Sequence, residues 1–280
     1  MKRRNSRRII LVNGLELPGL DELEPPYVVE PPVGWDELDG VVRSAPPSAV
    51  VLLDPYAGRR PGEAFPRVHD LLRRYPSLAV VAAFELSAEN LADVSTLMEW
   101  GVSDVIDTGP ESTPRGIHAR LRQAHARPLK RRLEKSLSQY VGADARNLLM
   151  GAAEVAVEGG GAPDLARAMS VAPRTLTEKC ARADLPPPRQ VQAWMRILLA
   201  CMLLDDPGRT VYAAAWACGY STDRSLRRAV AAFVGSDATT LRRGGAFAQA
   251  ARTFNDVLRE VREANRERRK AQRTTGGGVP

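Results

Sequence analysis

Arg224, Arg227 and Arg228 sit close together behind Thr222 and Asp223. An arginine side chain is a planar fork of N–H donors, matched to phosphate oxygens and to the O6/N7 edge of guanine. A helix carrying several such forks on one side suits the major groove of duplex DNA. Leu226, Ala229, Val230 and Phe233 in the same stretch fall at core-facing helical spacing, which leaves Asp223, Arg224, Arg227 and Arg228 turned outward. Arg224 and Arg227 are the leading candidates for base contacts. Thr222 and Asp223 either join them or cap the helix, and Arg228 either binds phosphate or braces the fold. A second stretch of the same character lies upstream, with Arg174, Thr175 and Thr177 as exposed candidates. Its Glu178 would repel phosphate yet could accept a hydrogen bond from a cytosine amino group.

Other chemistry finds little support. Cys180, Cys201 and Cys218 lie in apolar helical patterns without CxxC spacing, and His69, His118 and His125 are not near them in the chain. Neither a metal site nor a disulfide framework is indicated, and buried free thiols are the simplest account. A Gly-rich phosphate loop and a nucleophile elbow are also missing from the sequence, so no enzyme chemistry and no cofactor are expected.

The arginines need rigid elements beneath them. Residues 208–235 read as a short helix, a turn at Gly219 and the basic helix from about Thr222 to Phe233, with Ala213, Ala214 and Ala217 small enough for close packing. Residues 164–183 repeat the scheme: Leu165, Ala166 and Met169 inward, a turn at Ser170–Ala172, and Pro173 opening a helix to about Arg182. Between the two units runs VQAWMRILLACMLL, apolar almost all round and therefore a buried linker helix.

These residues resemble the AraC/XylS family of transcription regulators, whose DNA-binding module holds two helix-turn-helix units on one long helix. The resemblance covers about residues 147–245. It rests on Leu165 and Ala166; on Arg196, Ile197, Ala200, Leu203 and Leu204 in the linker; and on Ala214, Ala215, Gly219, Tyr220, Leu226, Arg228, Gly235 and Arg242 in the second unit. The chain departs from the family pattern at Ala172 (usually Ser), Cys180 and Val230 (usually Phe) and Ala238 (usually Pro). The resemblance implies two reading helices entering successive major grooves of double-stranded DNA.

The first half differs. Short apolar runs at Arg8–Val12, Tyr27–Val29, Ala49–Leu53, Leu78–Ala83 and Asp104–Ile106 alternate with helical patterns at Trp35–Arg43, Gly62–Arg74, Ala88–Trp100 and Arg115–Ala126. Such alternation argues a doubly wound α/β domain with a parallel sheet, its opening unit eroded between Asn13 and Pro32. SAVVLLDPYAG and GVSDVIDTG resemble a response-regulator receiver domain, which makes Asp54 the candidate phospho-acceptor. Phosphoryl transfer also needs an acidic pair for magnesium, a hydroxyl and a lysine. Asn13, Ala83 or Phe84, and Thr108 stand in those places, so the receiver-like domain is degenerate and expected to act unphosphorylated, as an interaction or dimerisation module.

Charge follows the same division: residues 1–125 carry 14 basic and 18 acidic side chains, residues 126–280 carry 26 and 15. A basic second half suits a phosphate-bearing partner. The expected organisation is therefore an α/β domain over 1–126, a helical connector over 127–146, an all-α DNA-binding domain with two helix-turn-helix units over 147–247, and an amphipathic helix with a basic flexible tail over 248–280. Leu129, Leu133 and Leu137 form a stripe on the connector that either meets a second copy or, the favoured reading, packs on its own domain. Candidate partners are duplex DNA, a homodimer through the first half or the connector, and RNA polymerase. No signal peptide or membrane span is recognisable, and a cytoplasmic location is expected. Two alternatives are a regulator switched by phosphorylation of Asp54 and a scaffold protein whose helix-turn-helix units no longer read DNA.

Overall fold

Uninterrupted apolar runs such as Val50–Leu53 and Ala79–Phe84 can be buried only if both faces of a strand are covered. The computed structural model, which describes residues 7–57, 66–109 and 113–276, places them at the centre of a five-stranded parallel sheet. Its strands are β1 (Arg7–Leu11), β2 (Tyr27–Val29), β3 (Val50–Leu53), β4 (Ala79–Phe84) and β5 (Asp104–Asp107), in the order β2-β1-β3-β4-β5. Ile9 pairs with Val50, Val51 with Val80 and Val81 with Asp104.

Alternate residues of each strand feed two separate cores. Ile10, Val51, Leu53, Val80 and Ala82 pack with residues of α1 (Leu38–Ser44), α2 (Pro66–Arg74) and α3 (Leu91–Trp100). Ile9, Val50, Leu52, Val81 and Ala83 pack with Ile117, Leu121 and Ala124 of α4 (Pro114–Ser136). Between β1 and β2 a single 3-10 turn, Leu20–Glu22, contributes Leu20 to that second core, where the sequence suggested an eroded unit. Helices α1 and α3 start a few residues later than the apolar pattern alone suggests. The first residues of the expected α2, from Gly62 to Glu63 and on to Phe65, lie outside the described residues.

The helical pattern read over Arg115–Ala126 and the first part of the connector form one helix, α4. Helix α4 runs through Pro128, which costs it one backbone bond. The loss is outweighed because Leu121 and Ala124 before the proline and Leu129 and Leu133 after it are all buried. Leu129, Leu133 and Leu137 are thus spent inside the chain itself, and the connector stripe is not open to a second copy. Lys130 pairs with Glu154 at 3.2 Å, and Asn255 bonds both Ser136 and Ser138, tying the end of α4 to neighbouring helices.

The remaining elements are α5 (Ala143–Val157), α6 (Ala162–Ala168), α7 (Pro173–Arg182), α8 (Pro188–Asp205), α9 (Val211–Ala217), α10 (Asp223–Val234), α11 (Ala238–Arg243) and α12 (Ala246–Gly276). Helix α12 continues to Gly276, so most of the stretch expected to be a flexible tail is helical; residues 277–280 lie outside the described residues. Helix α8 is buried on nearly every side, from Val191 to Leu204. Its Trp194 ring meets Phe233 and Phe254 at centroid distances of 5.0 and 5.2 Å. The chain divides into two compact units, one of residues 1–128 with 205–217 and the other of 129–204 with 218–280.

Candidate nucleic-acid interface

Helix α6 is preceded by Gly161 in the N-cap position, whose N–H is held at 2.7 Å by the carboxylate of Asp164; that bond keeps the Asp164 carboxyl below the usual range. Leu165 and Ala166 face inward. Ser170, with φ 52°, turns the chain in the left-handed region, a conformation costing a non-glycine residue about 1 kcal/mol. The N–H groups of Ser170 and Val171 close the turn onto Arg167 and Ala166 carbonyls. Pro173 then opens α7 with its φ already set for a helix. Ala172, in the N-cap position, makes no side-chain cap, which is the local cost of lacking the serine hydroxyl.

On α7, Leu176 and Cys180 are buried, and burial pushes the Cys180 thiol up to about 11, making it a packing group. Arg174 and Thr177 are exposed and Thr175 is half-buried. Glu178 lies between Arg174 at 3.2 Å and Arg182 at 3.9 Å on the same helix face. Its negative charge is therefore largely answered within α7. Thr177 donates its hydroxyl to the Pro173 carbonyl at 3.1 Å.

The second unit is built differently. Ala214 and Ala215 of α9 are the buried pair, while Ala213 and Ala217 are half-buried, one position off the packing face expected. Gly219 has φ 78°, and nothing lies within 4 Å of where its Cβ would be; the glycine is needed for the turn and not for space. Thr222 is the N-cap of α10. Its hydroxyl accepts from Ser225 N–H at 3.1 Å while the Ser225 hydroxyl accepts from Thr222 N–H at 3.2 Å, a reciprocal cap. Asp223 accepts from Arg224 N–H at 2.8 Å and faces Arg227 at 3.7 Å. Arg224, Arg227 and Arg228 are exposed, and Arg227 also reaches Thr239 Oγ1 at 3.4 Å. Leu226 and Val230 are buried as expected, and Gly235 ends the helix in the left-handed region.

One support, Asp237, was not singled out from the sequence. Asp237 caps α11 by accepting from the N–H groups of Thr239 and Thr240 at 2.9 and 3.1 Å, which lets Ala238 serve at the first helical position where proline is usual. Asp-x-Thr-Thr ahead of a leucine is a readable capping signal. Arg196 donates to the Gly160 carbonyl at 3.0 Å and Arg242 to the Leu204 carbonyl at 3.1 Å, so both act as braces. Helices α7, α8 up to Leu204, and α10 all belong to the same compact unit.

Residues 165–244 match a family model described as a helix-turn-helix domain. The helix-turn-helix domain opens at the inward Leu165 of α6 and closes after α11, and it supports a DNA-binding transcription regulator. No curated protein and no solved structure matches the chain. No helix among the described residues is long and apolar enough to cross a membrane.

Asp54 lies outside that domain, one residue past β3 and half-buried. It accepts from Tyr56 N–H at 2.8 Å, and burial pushes its carboxyl above the usual range. Tyr56 packs edge-on to Phe84 at 5.1 Å and donates its hydroxyl to Asp93 at 2.6 Å. Gly14, three residues past β1, comes so close to Ala57 that a Cβ there would sit 2.7 Å from it. The Asp54 carboxylate thus bonds the backbone of a tightly packed strand-end loop, and the positions that the receiver resemblance assigns to a metal carboxylate, a hydroxyl and a lysine hold Asn13, Ala83 or Phe84, and Thr108, residue types that do not fit a magnesium-phosphate site.

Proposed function

We propose that the chain is a sequence-specific transcription regulator of the AraC type, reading two successive major grooves with α7 and α10. The observation that carries the reading is a repeated construction inside the matched span. Each helix follows a left-handed turn residue, buries an apolar face and exposes Arg174 with Thr177 or Arg224 with Arg227, and α8 provides an apolar strut in the same unit. The α/β unit serves as an interaction module without phosphorylation. Its parallel 2-1-3-4-5 strand order supports the resemblance to receivers, while the surroundings of Asp54 support a silent site. A dimer contact in this reading falls on the α/β unit, since the connector leucines are already buried.

Selection of bound sequences from random duplex DNA tests the proposal, comparing the wild-type chain with an Arg224→Ala/Arg227→Ala variant at two salt concentrations. The wild type is expected to select two half-sites about one helical turn apart. The variant should lose preference at one of them, by about 1 to 3 kcal/mol for each bidentate arginine–guanine pair removed. Binding without a motif, or no binding, would replace the regulator by the scaffold reading.

A further inference from the structure

Helix α12 outlasts the core it belongs to. Phe254 and Leu258 are buried, but between Glu263 and Ala271 only Asn265 is even half-buried. An extension that buries no apolar side chain gains nothing from the hydrophobic core, so the core does not explain its composition. Its charge is one-sided. Residues 252–261 carry two basic and two acidic side chains, whereas residues 262–270 carry Arg262, Arg266, Arg268, Arg269 and Lys270 against Glu263 and Glu267. Arg262, Arg266 and Lys270 recur every four residues and so form one line along the helix, while Arg268 stands on the opposite side from Arg266. Arg266 is exposed and meets no carboxylate among the described residues.

The extension is fastened to the first reading helix. Asp184, two residues past the end of α7, accepts from Asn265 at 3.1 Å and from Arg269 at 2.7 Å. Arg182, the last residue of α7, lines one cleft with Arg262, whose guanidinium lies over the Tyr140 ring at 5.2 Å. Two acids line that cleft as well. Asp184 is spent on its two partners from α12, and Asp144 stands in the first turn of α5, where it answers that helix's own dipole. All of these residues belong to one compact unit, together with α7 and α10. Helix α7 has ten residues and is therefore about 15 Å long, against a major groove about 12 Å wide. With its start against the base edges, its end at Arg182 comes out at the rim of the groove, where the phosphates run.

We infer that the end of α12 is a third contact to DNA: Arg182 of α7 and the line Arg262, Arg266 and Lys270 of α12 bind backbone phosphates bordering the half-site read by α7. The inference rests on the DNA-reading proposal and adds a contact beyond the matched helix-turn-helix span. Arg269 is the fastener, its guanidinium engaged by Asp184, and the line beside it is left to face the phosphates. Such a contact raises affinity and fixes the register of α7 without choosing bases, because phosphates are alike at every sequence.

The test uses the full chain in four forms: wild type, Arg266→Gln, Arg266→Gln/Lys270→Gln and, as control, Arg268→Gln, which removes the same charge from the opposite side of the helix. Glutamine forms helix about as well as arginine, so α12 is kept in each. Affinity is measured against salt on a duplex holding both selected half-sites with flanking sequence, and phosphate-ethylation interference maps the contacts. The slope of log affinity against log salt should become shallower by about 1 in Arg266→Gln and by about 2 in the double variant, whose Kd rises on the order of tenfold at about 0.1 M salt. Interference at phosphates bordering the first half-site should fade while the selected motif stays the same, and Arg268→Gln should match the wild type. Unchanged slopes overturn the inference. So does an equal change in Arg266→Gln and Arg268→Gln, which would reduce the effect to overall charge, or interference lost only at the second half-site. If the wild-type chain binds duplex without selecting a motif, the DNA-reading proposal fails by itself. Slopes on random duplex then judge the contact: a shallower slope in the Arg266 variants alone keeps it, and equal slopes remove it. A wild-type chain that binds no duplex removes both.

Discussion

Replacing Thr222 by alanine separates two roles that the sequence leaves open. In the structure the Thr222 hydroxyl accepts from Ser225 N–H at 3.1 Å, and the Ser225 hydroxyl returns the bond at 3.2 Å. Alanine removes the first bond and leaves one of the orphan N–H groups of α10 to water, a loss of about 1 kcal/mol. Because the first turn of α10 holds Arg224, that destabilisation feeds into DNA binding as about a fivefold rise in Kd, spread evenly over all sequences. Asparagine caps as well as threonine, so Thr222→Asn should restore wild-type affinity. The assay is equilibrium binding to a panel of duplexes with each position of the second half-site varied, alongside helicity by circular dichroism. The reasoning is refuted if Thr222→Asn binds no better than Thr222→Ala, or if Thr222→Ala erases preference at one base pair while leaving the rest intact. Either result would make the hydroxyl a base contact.

Two further perturbations test the framework beneath the interface. Trp194→Ala removes a ring wedged against Phe233 of α10 and Phe254 of α12, and should cost about 3 to 5 kcal/mol in urea unfolding of the second unit; a loss below about 1 kcal/mol would show the ring to be peripheral to that core. His125 stacks on Tyr27, and burial, with the charge of Arg7 adding, pushes its imidazole down to about 3. A base held below its unfolded pKa favours folding fully above about pH 6.5 and loses that contribution as pH falls towards 3. Stability should therefore drop by about 2 kcal/mol between neutral pH and pH 5. His125→Leu should flatten this part of the profile; an undiminished drop in the variant would assign it to other groups.

Much of the α/β unit is legible because a strand buried on both faces announces itself as an apolar run. Tyr27–Val29 coincides with β2, and the other strands differ from the apolar runs by a residue at one or both ends. Helix α7 begins at the expected Pro173, where a fixed φ acts locally, and Thr222 stands at the head of α10. The misreadings share a cause. The helical pattern read over Arg115–Ala126 runs on to Ser136 through Pro128, whose forfeited backbone bond is outweighed by buried residues on either side. The buried alanines of α9 are Ala214 and Ala215, with Ala213 and Ala217 half-buried, because in a helix of seven residues periodicity cannot single out a face.

The sequence by itself determined the periodicities, turns and charge distribution: which residues form helices and strands, that Arg174, Arg224, Arg227 and Arg228 lie outward, and that Gly219 and Pro173 punctuate the units. All of these depend on interactions within a few residues, where chain geometry dictates what can meet. Tertiary structure decided the allegiance of residues 205–217, the burial of Asp206 and Arg209, and the sealing of the connector leucines. Ser77 and Asp206 are 129 residues apart, and Ala45 and Arg209 are 164 apart. A bond across such a distance leaves no periodic trace in the chain, since its partners are brought together only by the packing of every element between them.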